Sequence, residues 1–446
     1  MPYIGNQPGT GVRSRFIYTA TASQTTFSGA DDNSKTLKYA DSAYVDVFLN
    51  GVCLVPGTDY TASTKTSIVL TQAASLSDTL EVIAYDIASM SDMSASNGGT
   101  FQADVTFAAG ADLITASKGT DNVRIGDGAG ASIASGGDNN VLVGKNAGTA
   151  ITTADNNVAV GRLALDANTT GERNVAVGTQ ALSTETQGRF STAVGYSALE
   201  ATNSTSTVDA YNVGLGYKAG EATSTGVKNT FVGGLSGLNN VGASFNTAVG
   251  FSSLSANTTG TGNVAVGVAL GANTTANDNT AMGNGALGSN TTGAANTAIG
   301  RNTLVSNTTG TLNTGLGFQS GFSNTTGSVL ALGYQCLYSN TTGVGNTAVG
   351  RYGALHLNTT GDYNTAVGDE ALFNVTTASR LTAVGHQAGY NATTATALVL
   401  IGREAGKAIT TGSENTAVGY DAMQKTTTGA NNVAVGMRSL FSNTTA

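Results

Sequence analysis

A glycine that closes a short aliphatic segment returns along this chain at nearly constant spacing, and this repeat limits the folds that the sequence can adopt. It occurs nineteen times between Gly126 and Gly436, and thirteen of the eighteen intervals are seventeen residues long. A unit of that length cannot bury its own apolar side chains, so neighbouring units must stack on one another. The repeat therefore predicts a solenoid over most of the 446 residues.

The three residues before each glycine predict a short strand. They are a β-branched residue or Leu, then usually Ala, then an aliphatic residue, as in Val158, Ala159 and Val160. Alternation along a strand places the two bulky side chains on one face and Ala and Gly on the other. We expect the small face to meet another backbone closely, and to let three such rolls pack about one axis. The glycines given this structural role are Gly161, Gly178, Gly195, Gly250, Gly267, Gly300, Gly350, Gly368 and Gly419.

The remainder of each repeat reads as a second apolar pair and a turn. The turn is most often Asn-Thr-Thr-Gly, as at residues 168–171 and 290–293, because Asn and Gly tolerate the left-handed backbone of tight turns. Most repeats also open with Asn, and these amides are expected to form a ladder along the axis. The single interval of 21 residues, between Gly195 and Gly216, predicts a surface loop near residues 203–210.

The N-terminal part has a different pattern. Asn50 and Gly51 lie between two apolar runs, which is a strong signal for a two-residue β-hairpin. Together with alternating segments nearby, the pattern predicts a small β-sandwich, so that the whole chain is all-β. The predicted strands are residues 15–19, 44–49, 52–55, 67–71 and 79–85. The predicted organisation is an extended arm over 1–15, the sandwich over 16–87, a linker and transition over 88–118, and a repeat β-roll shaft over 119–446.

Composition argues against several functions. Charged residues make up 11 % of the chain and the net charge is −8, with no cluster of Lys and Arg for nucleic acid. Cys53 and Cys336 lie far apart, so we expect both to be reduced and buried, with neither a disulfide nor a zinc site. The N-terminus lacks a charged region followed by an apolar run, and no stretch of about 18 apolar residues exists. We therefore expect synthesis in the cytoplasm, no signal peptide and no membrane insertion.

No catalytic, metal or cofactor site is expected. His356 and His386 occupy variable positions of different repeats and are expected to lie on the rim of the coils. Asp369 and Glu370 are adjacent, so their side chains should diverge in extended backbone, whereas glycan cleavage needs two carboxylates that face each other. We therefore expect a protein that is not an enzyme.

An outer aromatic stripe is expected from residues that directly follow the repeat glycine. Packing against the neighbouring coil or chain is the favoured explanation, and contact with sugar is the alternative. These residues are Tyr196, Tyr217, Phe251, Phe318, Tyr334 and Tyr420.

Two parts of the sequence resemble known fibre proteins. Residues 1–6, Met-Pro-Tyr-Ile-Gly-Asn, and the segment from Val45 to Tyr60 resemble the virion-proximal part of tail fibre proteins of short-tailed, podovirus-like marine and cyanobacterial phages. The repeat resembles the head repeats of trimeric autotransporter adhesins and the phage fibre shafts that share them. The resemblance implies a homotrimeric tail fibre, located in the virion tail, that serves adsorption to the host. It also implies that the N-terminal region docks on other tail proteins, such as an adaptor or nozzle, and that the fibre meets a host surface glycan or protein receptor.

The chain departs from these families in two ways. It shows neither the export signal nor the C-terminal membrane anchor of the adhesins, and it stops within a repeat at residues 442–446. We therefore expect a distal tip to be absent, removed or supplied by another protein. Two other functions stay open, a bacterial trimeric surface adhesin and a glycan depolymerase tailspike. The sequence assigns no receptor-binding residues.

Overall fold

A computed structural model of the chain describes residues 12–86, 119–204 and 206–445. They form two compact units, both built from β-strands. The predicted linker and transition, together with residues 1–11 of the predicted arm, lie outside the described residues.

The N-terminal unit contains two antiparallel sheets. Its strands are β1 (Val12–Thr19), β2 (Gln24–Ser28), β3 (Val45–Leu49), β4 (Val52–Cys53), β5 (Tyr60–Thr61), β6 (Ser67–Ala74) and β7 (Thr79–Asp86), and a short 3-10 helix covers Ser42–Tyr44. One sheet has the order β1-β7-β3-β4 and the other has the order β2-β6-β5. Both sheets bury side chains in one core, to which they contribute Phe16, Phe27, Ile68 and Leu80. The predicted small sandwich is confirmed.

The predicted hairpin is also confirmed. Leu49 pairs with Val52, and the two residues between them, Asn50 and Gly51, have φ values of 51° and 80°. Positive φ at both central residues is the backbone of a type I′ turn, whose twist matches that of the flanking strands. Strands β2 and β5 were not predicted. The first is mostly polar with one buried aromatic side chain, Phe27, and the second is two residues long.

The second unit is a β-solenoid with one main strand in each coil. Its strands are β8 (Val123–Ile125), β9 (Val141–Val143), β10 (Val158–Val160), β11 (Val175–Val177), β12 (Thr192–Val194), β13 (Val213–Leu215), β14 (Thr230–Val232), β15 (Thr247–Val249), β16 (Val264–Val266), β17 (Thr280–Met282), β18 (Thr297–Ile299), β19 (Thr314–Leu316), β20 (Val329–Tyr334), β21 (Asn346–Tyr352), β22 (Thr365–Val367), β23 (Thr382–Val384), β24 (Val399–Ile401), β25 (Thr416–Val418) and β26 (Val433–Val435). Each strand pairs in parallel with those of the adjacent coils, and most pairs keep one register, as Ala159 does with Ala176.

Hydrogen bonds between coils continue beyond the strands. The Leu163 N–H donates to the Lys145 carbonyl of the preceding coil at 3.0 Å, and the Leu165 N–H donates to the Ala181 carbonyl of the following coil at 2.9 Å. The backbone of each coil is thus paired around much of its circumference. This pairing satisfies polar groups that the stacking of coils would otherwise bury.

The interior of the coil corrects the predicted role of the small face. Ala159 and Leu165 are fully buried in the core of their own chain, whereas Val158 and Val160 are half-buried on the outer surface. The expectation that the alanine face meets neighbouring chains is therefore wrong. The alternation of large and small side chains shows that the strand has two faces but does not show which one is buried. Ala159 lies in the same core as Leu165, so the face with the small side chains is the inner one.

The repeat glycines do meet another backbone, and it is that of the next coil. Gly161 has φ of +132°, and a Cβ there would lie 2.6 Å from the Gly178 carbonyl oxygen. Six others have the same environment, with the corresponding distance between 2.4 and 2.6 Å: Gly178, Gly195, Gly250, Gly300, Gly368 and Gly419. Gly267 is less crowded, since its nearest atom would lie at 3.3 Å. Gly350 lacks a positive φ and belongs to an irregular coil.

Candidate functional site

Two columns of buried asparagine form a rigid frame inside the regular coils. In the column that opens the strands, Asn157 donates from Nδ2 to the Gly171 carbonyl at 2.9 Å, and its Oδ1 accepts from the Asn174 N–H at 2.9 Å. The predicted Asn ladder is confirmed. Because a buried amide without partners would be costly, each column fixes the register between coils.

The turns, most of which are Asn-Thr-Thr-Gly, form the second column. Successive side-chain amides donate to one another over 2.8 to 3.2 Å. Beside them, Thr291 Oγ1 donates to the Thr308 carbonyl at 3.1 Å, and this contact also recurs between coils. The uninterrupted run comprises Asn240, Asn257, Asn273, Asn290, Asn307, Asn324, Asn340 and Asn358.

The inserted loop leaves the strand ladder intact, whereas the asparagine columns are interrupted beside it, where Ser191 and Glu185 occupy the asparagine positions. Strands β12 and β13 pair in register across the 21-residue interval, so the extra residues lie outside the ladder. Arg189 holds the loop through an ion pair with Asp209 at 3.0 Å, and the Glu185 carboxylate accepts from the Ser204 N–H at 3.1 Å. The predicted surface loop is confirmed.

Two adjacent coils depart from the regular pattern. Strands β20 and β21 are six and seven residues long, whereas most strands of the solenoid have three, and their register shifts between Leu332 and Tyr334. The interval from Gly350 to Gly368 contains one extra residue compared with seventeen. Bulges of this kind re-aim side chains and occur often beside functional sites.

A polar depression lies beside these irregular coils. It is lined by Arg351, Tyr352, Asp369, Glu370 and His386. Arg351, Asp369 and His386 each directly follow the repeat glycine, so three successive coils contribute a guanidinium, a carboxylate and an imidazole to one column. The extended backbone expected at Asp369 and Glu370 is not found, because Glu370 has φ of 55°, and both residues line the depression.

The charged groups of the depression are partly paired. Arg351 Nε donates to Asp369 Oδ2 at 3.1 Å, and the Tyr352 N–H donates to Asp369 Oδ1 at 3.2 Å. Burial pushes the pKa of Asp369 upward, but the hydrogen bonds and charge of Arg351 outweigh it and hold that pKa below its ordinary value. Glu370 Oε2 accepts from Gln387 Nε2 at 2.6 Å. The Arg351 side chain is 87 % exposed, so most of its guanidinium faces solvent.

Aromatic rings are stacked beside the depression. A five-ring column follows successive coils, with centroid separations of 4.8 to 5.3 Å: Phe322, Tyr338, His356, Phe373 and Tyr390. A second stack joins Phe318, Tyr334 and Tyr352, with 5.4 Å between neighbouring centroids. Because each inner ring has a ring on both faces, only edges remain open. This geometry favours packing against the neighbouring coil over stacking on sugar.

The predicted aromatic stripe is partly stacked. Tyr196 and Tyr217 stack at 5.7 Å, whereas Phe251 is 64 % exposed. Arg403 lies 5.3 Å from the centre of the Tyr420 ring, a cation–π contact between coils.

The two histidines differ. His356 stacks between Tyr338 and Phe373, and burial lowers its pKa, so the ring is held neutral. His386 is exposed and lines the depression. Both belong to the outer parts of their coils, but neither has a set of metal ligands around it, since the described residues contain no group of three or more His, Cys, Asp or Glu suited to a metal ion.

The two cysteines also differ, and one prediction about them is wrong. Cys336 is buried, and burial raises the pKa of its thiol, as expected for a reduced core residue. Cys53 is exposed, because it ends the short edge strand β4.

Comparison with known proteins identifies no relative. No protein-family model matches the chain, and neither a curated protein nor a solved structure gives a significant match. Among the residues that the structure describes, no helix has the length and apolarity needed to cross a bilayer.

Proposed function

We propose that the protein is a structural fibre of a short-tailed phage virion, which attaches the tail to the host surface as a homotrimer. The N-terminal unit would dock on other tail proteins, and the solenoid would carry the contact with the host. Several trimers on one particle would multiply weak contacts into firm attachment.

The observation that carries the proposal is the outer strand face of the solenoid. The residue before each repeat glycine is aliphatic and points outward, and many of these side chains are more than one-third exposed. They include Leu215, Val249, Met282, Leu316 and Ile401, with exposed fractions of 36 to 49 %. Contiguous apolar surface that extends over so many coils is unusual for a protein without a partner. Identical copies of the chain would cover this face with an equally apolar one.

The assembly is tested by light scattering on the purified full chain. The expected mass corresponds to three chains of 44.4 kDa. The double variant V249E/L316E, which places charges on the outer face, should dissociate the trimer. The matched variant T259E/T326E changes exposed turn residues instead and should remain trimeric. A monomeric wild-type protein would contradict the assembly.

The location is tested on purified virions. Antibodies against residues 12–86 should label the tail, and the purified chain should compete with virions for adsorption. A protein that is exported by a bacterium and never associates with virions would favour the adhesin alternative. Release of reducing sugar from host envelope would favour the depolymerase alternative.

A further inference from the structure

We propose that the depression lined by Arg351, Tyr352, Asp369, Glu370 and His386 binds a neutral saccharide. This inference rests on the proposed attachment function and specifies the class of receptor and the residues that contact it. The depression begins at the coil of β21, which together with the adjacent coil of β20 has a lengthened strand.

The depression lies where the repeat loses its regularity. A repeat protein keeps its consensus where the residues only build the frame, and departures from local rules concentrate at functional sites. Here the bulge after Leu332, the extra residue before Gly368 and the loss of positive φ at Gly350 all occur in adjoining coils. The Asn column nevertheless continues through Asn340 and Asn358, so the irregularity is mounted on rigid structure.

The lining of the depression places a charged hydrogen-bond donor beside a charged acceptor. Asp369 supplies an ionised acceptor and Arg351 supplies outward-facing donors, and the two are held together at 3.1 Å. Each saccharide hydroxyl is both a donor and an acceptor, so two neighbouring hydroxyls can pair with the carboxylate and the guanidinium at once. Glu370 and the exposed His386 add further polar partners.

Other ligands fit less well. Anions would meet two carboxylates, and a divalent cation would find one carboxylate already paired with Arg351. An apolar peptide would have to desolvate these charged groups without replacing their hydrogen bonds. The edge and hydroxyl of Tyr352, which is 40 % exposed, offer one amphipathic border of a kind suited to a sugar ring.

The test is a glycan array of neutral and acidic oligosaccharides probed with the full-length wild-type chain. Hits are then measured by saturation-transfer NMR with the same chain. We expect binding of one or more neutral saccharides. Arg351→Ala and Asp369→Asn should each weaken it at least about ten-fold, because each removes a charge-assisted hydrogen bond.

Arg162→Ala is the matched control. Arg162 also directly follows a repeat glycine, but it lies in a distant regular coil, so its loss should leave binding unchanged. The proposal is overturned if no saccharide of the array binds, if only acidic saccharides bind, or if binding is equal in wild type, R351A and D369N.

The same variants separate this inference from the proposed function. If R351A competes with virions for adsorption as well as wild type does, the saccharide site is wrong and the fibre function stands. If the wild-type chain is absent from virion tails and does not compete, the fibre function itself is wrong.

Discussion

The N-terminal unit fills its core with large side chains, whereas the solenoid fills its core with alanine, leucine and buried amides. Phe27, Tyr60 and Leu80 lie at the centre of the first unit, and its strands pair antiparallel. In the solenoid, Ala159 and Leu165 supply the apolar interior, while Asn157 supplies the hydrogen bonds. The fold of the first unit is therefore specified by the shapes of its core side chains, and the fold of the solenoid by columns of identical contacts between coils. Substitutions in each core should expose this difference.

The largest loss of stability is expected when a large side chain is truncated in the core of the N-terminal unit. Leu80 is fully buried between the sheets, and Leu80→Ala should cost about 2–5 kcal/mol through lost burial and a cavity. Hydrogen exchange followed by mass spectrometry should show faster exchange throughout residues 12–86 and unchanged exchange in the solenoid. The exposed Leu76 provides the control, since Leu76→Ala should change little. Faster exchange in the coils than in wild type would contradict the independence of the two units.

In the solenoid, the corresponding loss of stability should come from a side chain that is too large for the core. Ala298 is fully buried, and Ala298→Phe should cost about 3 kcal/mol, because a coil that is hydrogen-bonded on both sides cannot widen. Exchange should increase most in the coils that adjoin Ala298. The exposed Ala430 is a matched control, and Ala430→Phe should be mild. Equal effects of the two substitutions would mean that the inner face has been assigned wrongly.

Breaking an amide column should have a smaller effect. Asn290 donates to the Gly293 carbonyl and to Asn273 Oδ1, and it accepts from Asn307. Asn290→Leu keeps the volume but leaves partners unsatisfied, so it should cost about 1–2 kcal/mol in denaturant-induced unfolding.

Thr426 provides the contrast to that substitution. It occupies the same turn position, and its hydroxyl is buried without a protein partner. Thr426→Val should therefore be neutral or slightly stabilising. If both substitutions cost the same, the hydrogen bonds of the column add nothing to its packing.

The smallest expected effect is a pH dependence of the N-terminal unit. Burial alone would raise the pKa of Asp31. Hydrogen bonds from the N–H groups of Ile17, Lys35 and Asn33 outweigh this effect, so the pKa lies below its ordinary value. A lowered pKa in the folded state stabilises the fold above the ordinary value of 3.8, and this stabilisation is lost as the pH falls further.

Thermal unfolding between pH 6 and pH 2.5 tests this dependence. Asp31→Asn should lower stability at pH 6 and flatten the acid-side decline. Asp46→Asn, at an exposed position of β3, should retain the wild-type slope. A decline that is identical in wild type and Asp31→Asn would assign the acid sensitivity to other groups.

The sequence predicted the repeating parts of this molecule well. Glycine spacing located the strands, the opening Asn residues gave the ladder, and Asn50 with Gly51 gave the hairpin. Each of these signals is local, because one residue type has one backbone or hydrogen-bonding reason to occupy its position.

The failures concern information that local patterns do not contain. Alternation around Ala159 defines two faces, but the closure of the coil decides which face is inside. The depression was missed because Asp369 and Glu370 were assigned extended backbone, whereas Glu370 has a left-handed φ and both residues line the depression. An available signal was the extra residue between Gly350 and Gly368. The exposure of Cys53 was missed because residue type carries no information about sheet edges.

The stacking of each repeat glycine on the next has a consequence for how the protein can change in length. The loss or gain of one whole repeat would leave every column aligned and alter the solenoid by one strand spacing, about 4.8 Å. A deletion of one residue inside β18 would instead turn Ala298 outward and end both amide columns there. The length of the solenoid can therefore change only in steps of one whole coil.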